Sequence, residues 1–227
     1  MSRGLFITGT GTGVGKTYVA ALIAKSLRDT GKRVGIYKPV ASGCELRDGK
    51  LESPDAIALW EAASRPGTLD QVCPQRFAAP LAPHLAASAE GRRVDPALLR
   101  SGLQYWRESY EIVLVEGAGG LMSPNSDEDY NADLADEFGY PLVVVTANVL
   151  GTINATLQTL IVADTFREGL DVAGIVLNSP LPAGGDSSIE SNADELVRRC
   201  VPPLLANVTH GGLLDEAVDW WAPAGTT

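Results

Sequence analysis

Leu5-Phe6-Ile7-Thr8-Gly9-Thr10-Gly11-Thr12-Gly13-Val14-Gly15-Lys16-Thr17 joins three unlike pieces of chain. Leu5 to Ile7 is an unbroken apolar run, the pattern of a strand buried on both faces. A Gly/Thr turn follows, and then Val19, Leu22, Ile23 and Leu27 recur at helical spacing until Gly31 closes the segment. Strand, Gly-rich turn and helix in that order put Thr8 to Thr17 where a phosphate-binding loop sits. Glycines let backbone N–H groups turn toward phosphate oxygens at a helix N-terminus, Lys16 reaches the terminal phosphates, and the Thr17 hydroxyl suits Mg²⁺. A strict GxxxxGK[ST] pattern asks for Gly at position 10, which is Thr10 here, so the loop is a shifted variant. A dinucleotide fingerprint explains Gly9, Gly11 and Gly13 but gives Lys16 no role, and no acid ends the second strand.

Outward from this loop the apolar runs continue at Val34–Tyr37, Ile112–Val115, Leu142–Val145 and Val172–Leu177. Between them lie helical segments. Ser53-Pro54-Asp55 and Asp95-Pro96 are start signals, with a capping side chain before a first-turn proline. Leu99, Leu103, Trp106 and Tyr110 form one helix face, and Ile153, Leu157, Leu160 and Ile161 another stripe. Non-alternating strands separated by amphipathic helices specify an α/β fold, a mostly parallel central sheet with helices on both faces and right-handed crossovers. Ser179 to Ser188 is the candidate mobile loop, and the end beyond Pro223 is expected to fray.

The 227 residues are 45% apolar and 20% charged, which places the chain in the globular class, and 18 basic against 28 acidic residues leave a net charge of −10. That balance disfavours nucleic acid and anionic lipid, whose binding needs a basic face. An anionic small molecule must then be met by locally placed N–H groups, lysines and metal. Cys44, Cys73 and Cys200 stand apart without CxxC spacing and read as small buried hydrophobes of a reducing compartment. With no signal-peptide core and no apolar run near the roughly 20 residues of a membrane span, a cytoplasmic protein is expected.

Further polar residues gather at strand ends. Glu116 follows Ile112–Val115 directly, at the carboxyl edge where open α/β sheets bind ligands. Asp55 sits in the first turn of a helix, as a metal ligand or as a complement to the helix dipole. Lys38 ends the second strand at the same edge, as a site cation or a solvated strand end, with Ser42 just beyond. Gly117-Ala118-Gly119-Gly120 allows close backbone approach to a ligand or forms a tight turn.

With Tyr37-Lys38-Pro39-Val40-Ala41-Ser42-Gly43, Asp55 and Val115-Glu116-Gly117-Ala118-Gly119-Gly120 beside the loop, the chain resembles the dethiobiotin synthetase family. The likeness continues through Ala82-Pro83-His84 with Glu90-Gly91, Leu150 to Asn154, and Gly174 to Asn178. It implies a three-layer P-loop NTPase-like fold, with residues 1–227 forming one ATP-dependent ligase domain. It also implies an ATP- and Mg²⁺-dependent ring closure of 7,8-diaminononanoate with CO₂, through a carbamate and a carbamic–phosphoric anhydride, releasing ADP and phosphate. On that resemblance Lys16 and Lys38 offset the repulsion between the two anions that meet. Thr12 and Ser42 hydrogen-bond the carbamate, and Thr17, Asp55 and Glu116 hold the metal. Gly13, Val14, Gly15, Lys16, Thr17 and Tyr18, then Glu116, Gly117, Ala118 and Gly119, surround the nucleotide. Asn178 reads the base, with Ser179 beside it and Pro203 and Leu204 flanking the ring. Gly151, Thr152, Ile153 and Asn154 open a helix whose N-terminus takes the substrate carboxylate across a homodimer interface, although Thr152 can equally be an ordinary cap.

Two departures stand out. Gly13 replaces an acidic residue of some relatives, and Leu205-Ala206-Asn207-Val208 replaces a segment that often reads Leu-Gly-Glu-Ile-Pro. His84 reads as structural. The main alternative is a partition- or septum-type ATPase switch, whose loop carries a lysine where this chain has Gly11. Amidation of corrinoid precursors calls for an additional glutamine-hydrolysing domain, for which this length has no room. A plain nucleotide-binding regulator leaves Lys38, Ser42 and Glu116 without a purpose.

Overall fold

A computed structural model describes residues 2–182, 184, 186–215 and 218–226. The chain opens with β1 (Arg3–Gly9), α1 (Lys16–Asp29) and β2 (Val34–Tyr37), as the first apolar runs require. A polar excursion follows, with β3 (Val40–Ala41), the hairpin strands β4 (Glu45–Arg47) and β5 (Lys50–Glu52), α2 (Pro54–Ala62), α3 (Leu69–Val72), β6 (Gln75–Arg76) and α4 (Pro83–Ala89). Then come α5 (Pro96–Ser109), β7 (Ile112–Glu116), α6 (Asn131–Phe138), β8 (Leu142–Ala147), α7 (Thr152–Thr165), β9 (Val172–Asn178), α8 (Ile189–Arg199), β10 (Leu204–Val208) and β11 (Gly225–Thr226).

The central sheet runs β10-β9-β8-β1-β7-β2 with every neighbour parallel, and helices flank it. Its strands carry the core: Leu5, Phe6, Ile7, Ile112, Val113, Val115 and Leu142 to Val145 are fully buried. Because all six strands point the same way, their carboxyl ends form one edge, to which Gly9, Tyr37, Glu116, Ala147, Asn178 and Val208 deliver the following loops. Ser53 caps α2 by accepting the Ala56 N–H at 3.2 Å, and Asp95 caps α5 at the Ala97 and Leu98 N–H groups, so both start signals act as read.

Three local expectations change. The tail beyond Pro223 does not hang free: β11 pairs antiparallel with β1, Gly225 opposite Gly4 and Thr226 opposite Arg3. Arg3 donates to the carbonyls of Trp221 and Ala224 while its guanidinium and the Lys32 ammonium lie over the Trp221 ring, and Trp220 is buried in the core. On α7 the buried residues are Thr152, Thr156 and Ala163, whereas Ile161 of the apolar stripe is 61% exposed. Thr152 and Thr156 face the sheet because three hydroxyls there satisfy one another, while Leu160 still packs against the core and Ile161 is the exposed member of the stripe. Within the Ser179–Ser188 loop, Asp186 is tied down by accepting from Leu150 N–H and Ser188, while Ala183 and Gly185 lie outside the described residues. Among the described residues no helix is long and apolar enough to cross a membrane.

Candidate active site

The phosphate loop leaves β1 at Gly9 and enters α1 at Lys16 through Gly15, whose φ of 90° lies in the left-handed region. That conformation favours glycine, and space enforces it: a Cβ on Gly15 would stand 2.1 Å from Asn178 Nδ2. Helix α1 has no side-chain cap and no acid in its first turn, so its N-terminal N–H groups and dipole are left for an anion. Lys16 is buried and donates its Nζ proton to the Gly11 carbonyl at 2.9 Å. Burial and the like charge of Lys38 hold its pKa below the usual lysine range, against the opposing pull of Glu116 and Asp55. A phosphate placed there would supply the counter-charge that this buried cation lacks.

Lys38, just past β2, is fixed by its own N–H donating to the Val72 carbonyl. Its Nζ lies 2.5 Å from Glu116 Oε1 and 3.1 Å from Asp55 Oδ2, with the Lys38 and Glu116 side chains only 4% and 2% exposed. Burial alone would lower the Lys38 pKa, but the two carboxylates outweigh it and hold the ammonium above its ordinary value. For Asp55, burial raises the pKa, and Lys38, Thr17 and Lys16 together bring it below the usual carboxylate range. Asp55 thus does more than complement a helix dipole, and Lys38 is no solvated strand end. Thr17 Oγ1 donates to Glu116 Oε1 at 2.9 Å. The other oxygen, Glu116 Oε2, is buried without a hydrogen-bond partner. An orphaned carboxylate oxygen beside a hydroxyl and a second carboxylate fits a hard cation such as Mg²⁺, which takes one or two carboxylates and completes its shell with phosphate and water oxygens. Among the described residues no group of three or more His, Cys, Asp or Glu could hold an ion without such outside oxygens.

These groups open into a cavity of about 600 Å³ lined by Thr12, Gly13, Gly15, Lys16, Thr17, Lys38, Ser42, Asp55 and Gly117 to Gly119. Glu116 lies beneath it. Three features were not read from the sequence. Pro80 to Pro83 form one wall, Ser123 lines the cavity and donates nothing to it but accepts the Gly120 N–H at 2.8 Å, and Asn131 locks the glycine turn by donating to the Ala118 and Gly120 carbonyls. A Cβ on Gly117 would stand 2.7 Å from Asn131 Oδ1, so the turn needs its glycine for packing as well as for ligand access. The prolines of Ala79 to Pro83 were a visible signal for a rigid wall, while Asn131 carried none.

The remaining expected residues lie elsewhere. Asn178 spends one amide N–H on the Val14 carbonyl at 2.9 Å, against the far side of the loop. Ser179 N–H donates to the Val208 carbonyl, and Tyr18 Oη donates to the Gly212 carbonyl at 2.6 Å, so the segment after β10 stands next to Asn178. Pro203 and Leu204 do not. Leu204 pairs with Ile175 and Val208 with Asn178, and four residues of parallel strand put Leu204 roughly 13 Å from the carboxyl edge. Pro203 precedes β10 and Leu204 opens it, at the end away from the ligand edge, so neither can flank a ring held beside Asn178. Gly151 to Asn154 open α7 with Gly151 at φ 96° and no side-chain cap. The Thr152 hydroxyl turns inward, to Thr146 at 2.7 Å, instead of capping. A shallow depression of about 350 Å³ separates this helix from Thr10 to Thr12 of the loop. His84 faces a different cavity, with Arg92, Arg93 and Ser126, and its Nδ1 has no partner.

A family described as an AAA domain matches residues 3–215. The chain is 44% identical to an ATP-dependent dethiobiotin synthetase BioD of Rhodopirellula baltica, over 89% of this chain and 82% of that one. It is 37% identical to another from Aromatoleum aromaticum, over 95% and 94% of the two chains. Among solved structures it is similar to a ParA family ATPase from Chlorobium tepidum, with a TM-score of 0.54, 18% identity and coverage of 92% and 84%. The septum site-determining protein MinD of Pyrococcus horikoshii, complexed with Mg-ADP, gives 0.54, 18%, 92% and 82%. At that identity the likeness to the two ATPases is one of fold.

Proposed function

The chain belongs to the ATP-dependent dethiobiotin synthetase family and is a ligase of biotin biosynthesis; we propose that it closes 7,8-diaminononanoate and CO₂ into dethiobiotin with the residues of the cavity between the phosphate loop and Glu116. One amine of the substrate takes up CO₂ and loses a proton, giving a carbamate held by Thr12 and Ser42. A carbamate oxygen attacks the γ-phosphorus of ATP, and the bond to ADP breaks. The second amine attacks the carbonyl carbon of the resulting anhydride, expels phosphate, gives up a proton and completes the cyclic urea. The observation that carries this reading is the convergence of Lys16 and Lys38 on one cavity from two different elements, so that two anions can be neutralised where they meet. Thr17, Asp55 and Glu116 would hold Mg²⁺, which supplies charge neutralisation on the phosphates. Lys16 exchanges the Gly11 carbonyl for phosphate, and Lys38 stabilises charge developing on the transferred phosphoryl group.

Nucleotide contacts come from Gly13 to Tyr18, from Gly117 to Gly119, and from Asn178 and Ser179 at the base, with the segment after Val208 taking the place first given to Pro203 and Leu204. The uncapped N-terminus of α7 and the exposed Ile161 side chain on the same helix favour a homodimer that presents Gly151 to Asn154 to the partner's substrate carboxylate. The setting is the cytoplasm. Purified protein given the diamine, bicarbonate and Mg-ATP is expected to release phosphate and dethiobiotin in equal amounts. Phosphate release that is indifferent to the diamine would refute the ligase and favour a nucleotide switch.

A further inference from the structure

We propose that Thr146 is a positioning residue that couples the phosphate loop to the first turn of α7 through a buried hydroxyl hub; this rests on the reading that nucleotide binds the loop. Thr146, near the end of β8, is fully buried, and its Oγ1 lies 3.2 Å from Thr10 Oγ1, 2.7 Å from Thr152 Oγ1 and 3.0 Å from Thr156 Oγ1. Thr156 is the donor in the last contact. A hydroxyl has one proton and two lone pairs, so after accepting from Thr156 the hub has one lone pair and one proton for its other two neighbours. If Thr146 donates to Thr10, Thr152 must donate to Thr146; if it donates to Thr152, Thr10 must be the donor. The proton on the loop side and the proton on the helix side are therefore linked in two complementary arrangements, in surroundings where a hydroxyl left unpaired is costly.

Each arm ends on a part expected to meet ligand. Thr10 is anchored to β8 by its N–H donating to the Val145 carbonyl, and the next residue, Gly11, offers the carbonyl that holds Lys16. When phosphate draws Lys16 away, that carbonyl loses its partner and the Thr10–Gly11 backbone readjusts. Thr152 is the first residue of α7, and its hydroxyl goes to the hub although the helix has no other side-chain cap. A change in the donor role of Thr10 is thus answered by a change in how the first turn of α7 is held.

The test is amide hydrogen exchange at Ala155, whose N–H donates to the Gly151 carbonyl, and at Thr156 and Leu157 after it, with and without saturating Mg–ADP. The wild type and Thr146→Ser are expected to show exchange slowed by about fivefold or more on nucleotide binding, at the low end of typical site-to-site coupling. In Thr146→Val, which keeps the shape and removes the hub, the slowing should vanish although Mg–ADP still binds by titration calorimetry. Thr156→Val, which lies outside the loop and frees the hub's second lone pair so that Thr10 and Thr152 can both donate, should lose the slowing as well and serves if the hub variant fails to fold. Protection that persists in both valine variants, or a wild type whose α7 amides ignore bound Mg–ADP, overturns the proposal. A wild type that binds no Mg–ADP at all overturns the nucleotide reading itself, and the coupling with it.

Discussion

Replacing Lys38 with Met removes the cation from a pair in which both side chains are almost wholly buried, 4% exposed for the lysine and 2% for Glu116. Removing one partner of a buried ion pair typically costs 3–5 kcal/mol, because the survivor is left desolvated. Here Thr17 still donates to Glu116 and the Asp55 side chain is 54% exposed, so the lower end applies, about 3 kcal/mol. For a chain of this size that is a fall of roughly 6–12 °C in melting temperature. The Lys38 pKa is raised in the folded protein, so its contribution is complete below the unfolded value of about 10.4 and is lost only as pH rises through the folded one. The melting gap between variant and wild type should therefore be flat from pH 7 to 10. Millimolar Mg²⁺ should narrow it, because the freed Glu116 and Asp55 oxygens gain a cation, and the variant should bind Mg²⁺ more tightly than wild type in the absence of nucleotide. Turnover with diamine, bicarbonate and Mg-ATP should fall about 10²–10³-fold, the loss typical of one preorganised donor to developing charge. Nucleotide titration should change little, since Lys16 is intact. Scanning calorimetry with and without Mg²⁺, titrations with Mg²⁺ and with nucleotide, and a coupled ADP assay measure these outcomes. Undiminished turnover would remove Lys38 from the chemistry, and an unchanged melting temperature would refute the buried ion pair.

Three further substitutions test the frame. Gly15→Ala forces a Cβ within 2.1 Å of Asn178 Nδ2 at a φ of 90°, whereas Gly13→Ala at φ 79° meets nothing within 4 Å. The first should abolish measurable nucleotide binding, the second should cost only the left-handed strain of about 1–2 kcal/mol, and equal effects in a titration would contradict the packing of Asn178 on the loop. Trp220→Ala should destabilise by about 3–5 kcal/mol, as for a large core side chain, and a loss under about 1 kcal/mol in chemical denaturation would mean that the tail does not belong to the core.

The parallel sheet was legible because strands buried on both faces carry no alternation to misread, and strand ends and helix starts locate Lys16, Thr17, Lys38, Asp55 and Glu116, although for Lys38 and Asp55 position alone leaves a solvated strand end and a dipole complement open and only the family resemblance assigns them a role. What failed was what depends on strand direction or on hydroxyl pairing. In Pro202-Pro203-Leu204-Leu205-Ala206-Asn207-Val208 the prolines come before the strand, and in a parallel sheet the start of a strand lies away from the ligand edge. The assignment of Pro203 and Leu204 to the base was open to refutation on that ground before any coordinates. On α7 the apolar period covered only part of the buried face: Leu160 packs against the core and Ile161 is exposed, while Thr152 and Thr156, polar by composition, are buried by bonding to Thr146. The two-residue β11 is too short for any periodicity, and only the adjacent Trp220 and Trp221 hinted that the tail has somewhere to pack.

On the proposed reaction a chain of net charge −10 brings two anions together, and it then needs cations that remain in place when the anions are absent. Lys16 is held by the Gly11 carbonyl and Lys38 by Glu116 and Asp55, and these are the partners that phosphate and a divalent cation would replace. Binding then exchanges one set of charge-assisted contacts for another, and neither lysine has to be drawn from water into a buried position as the reaction begins. In the proposed reaction Lys38, buried among carboxylates at a strand end, would take up its task when a second anion besides the nucleotide enters between β2 and the phosphate loop.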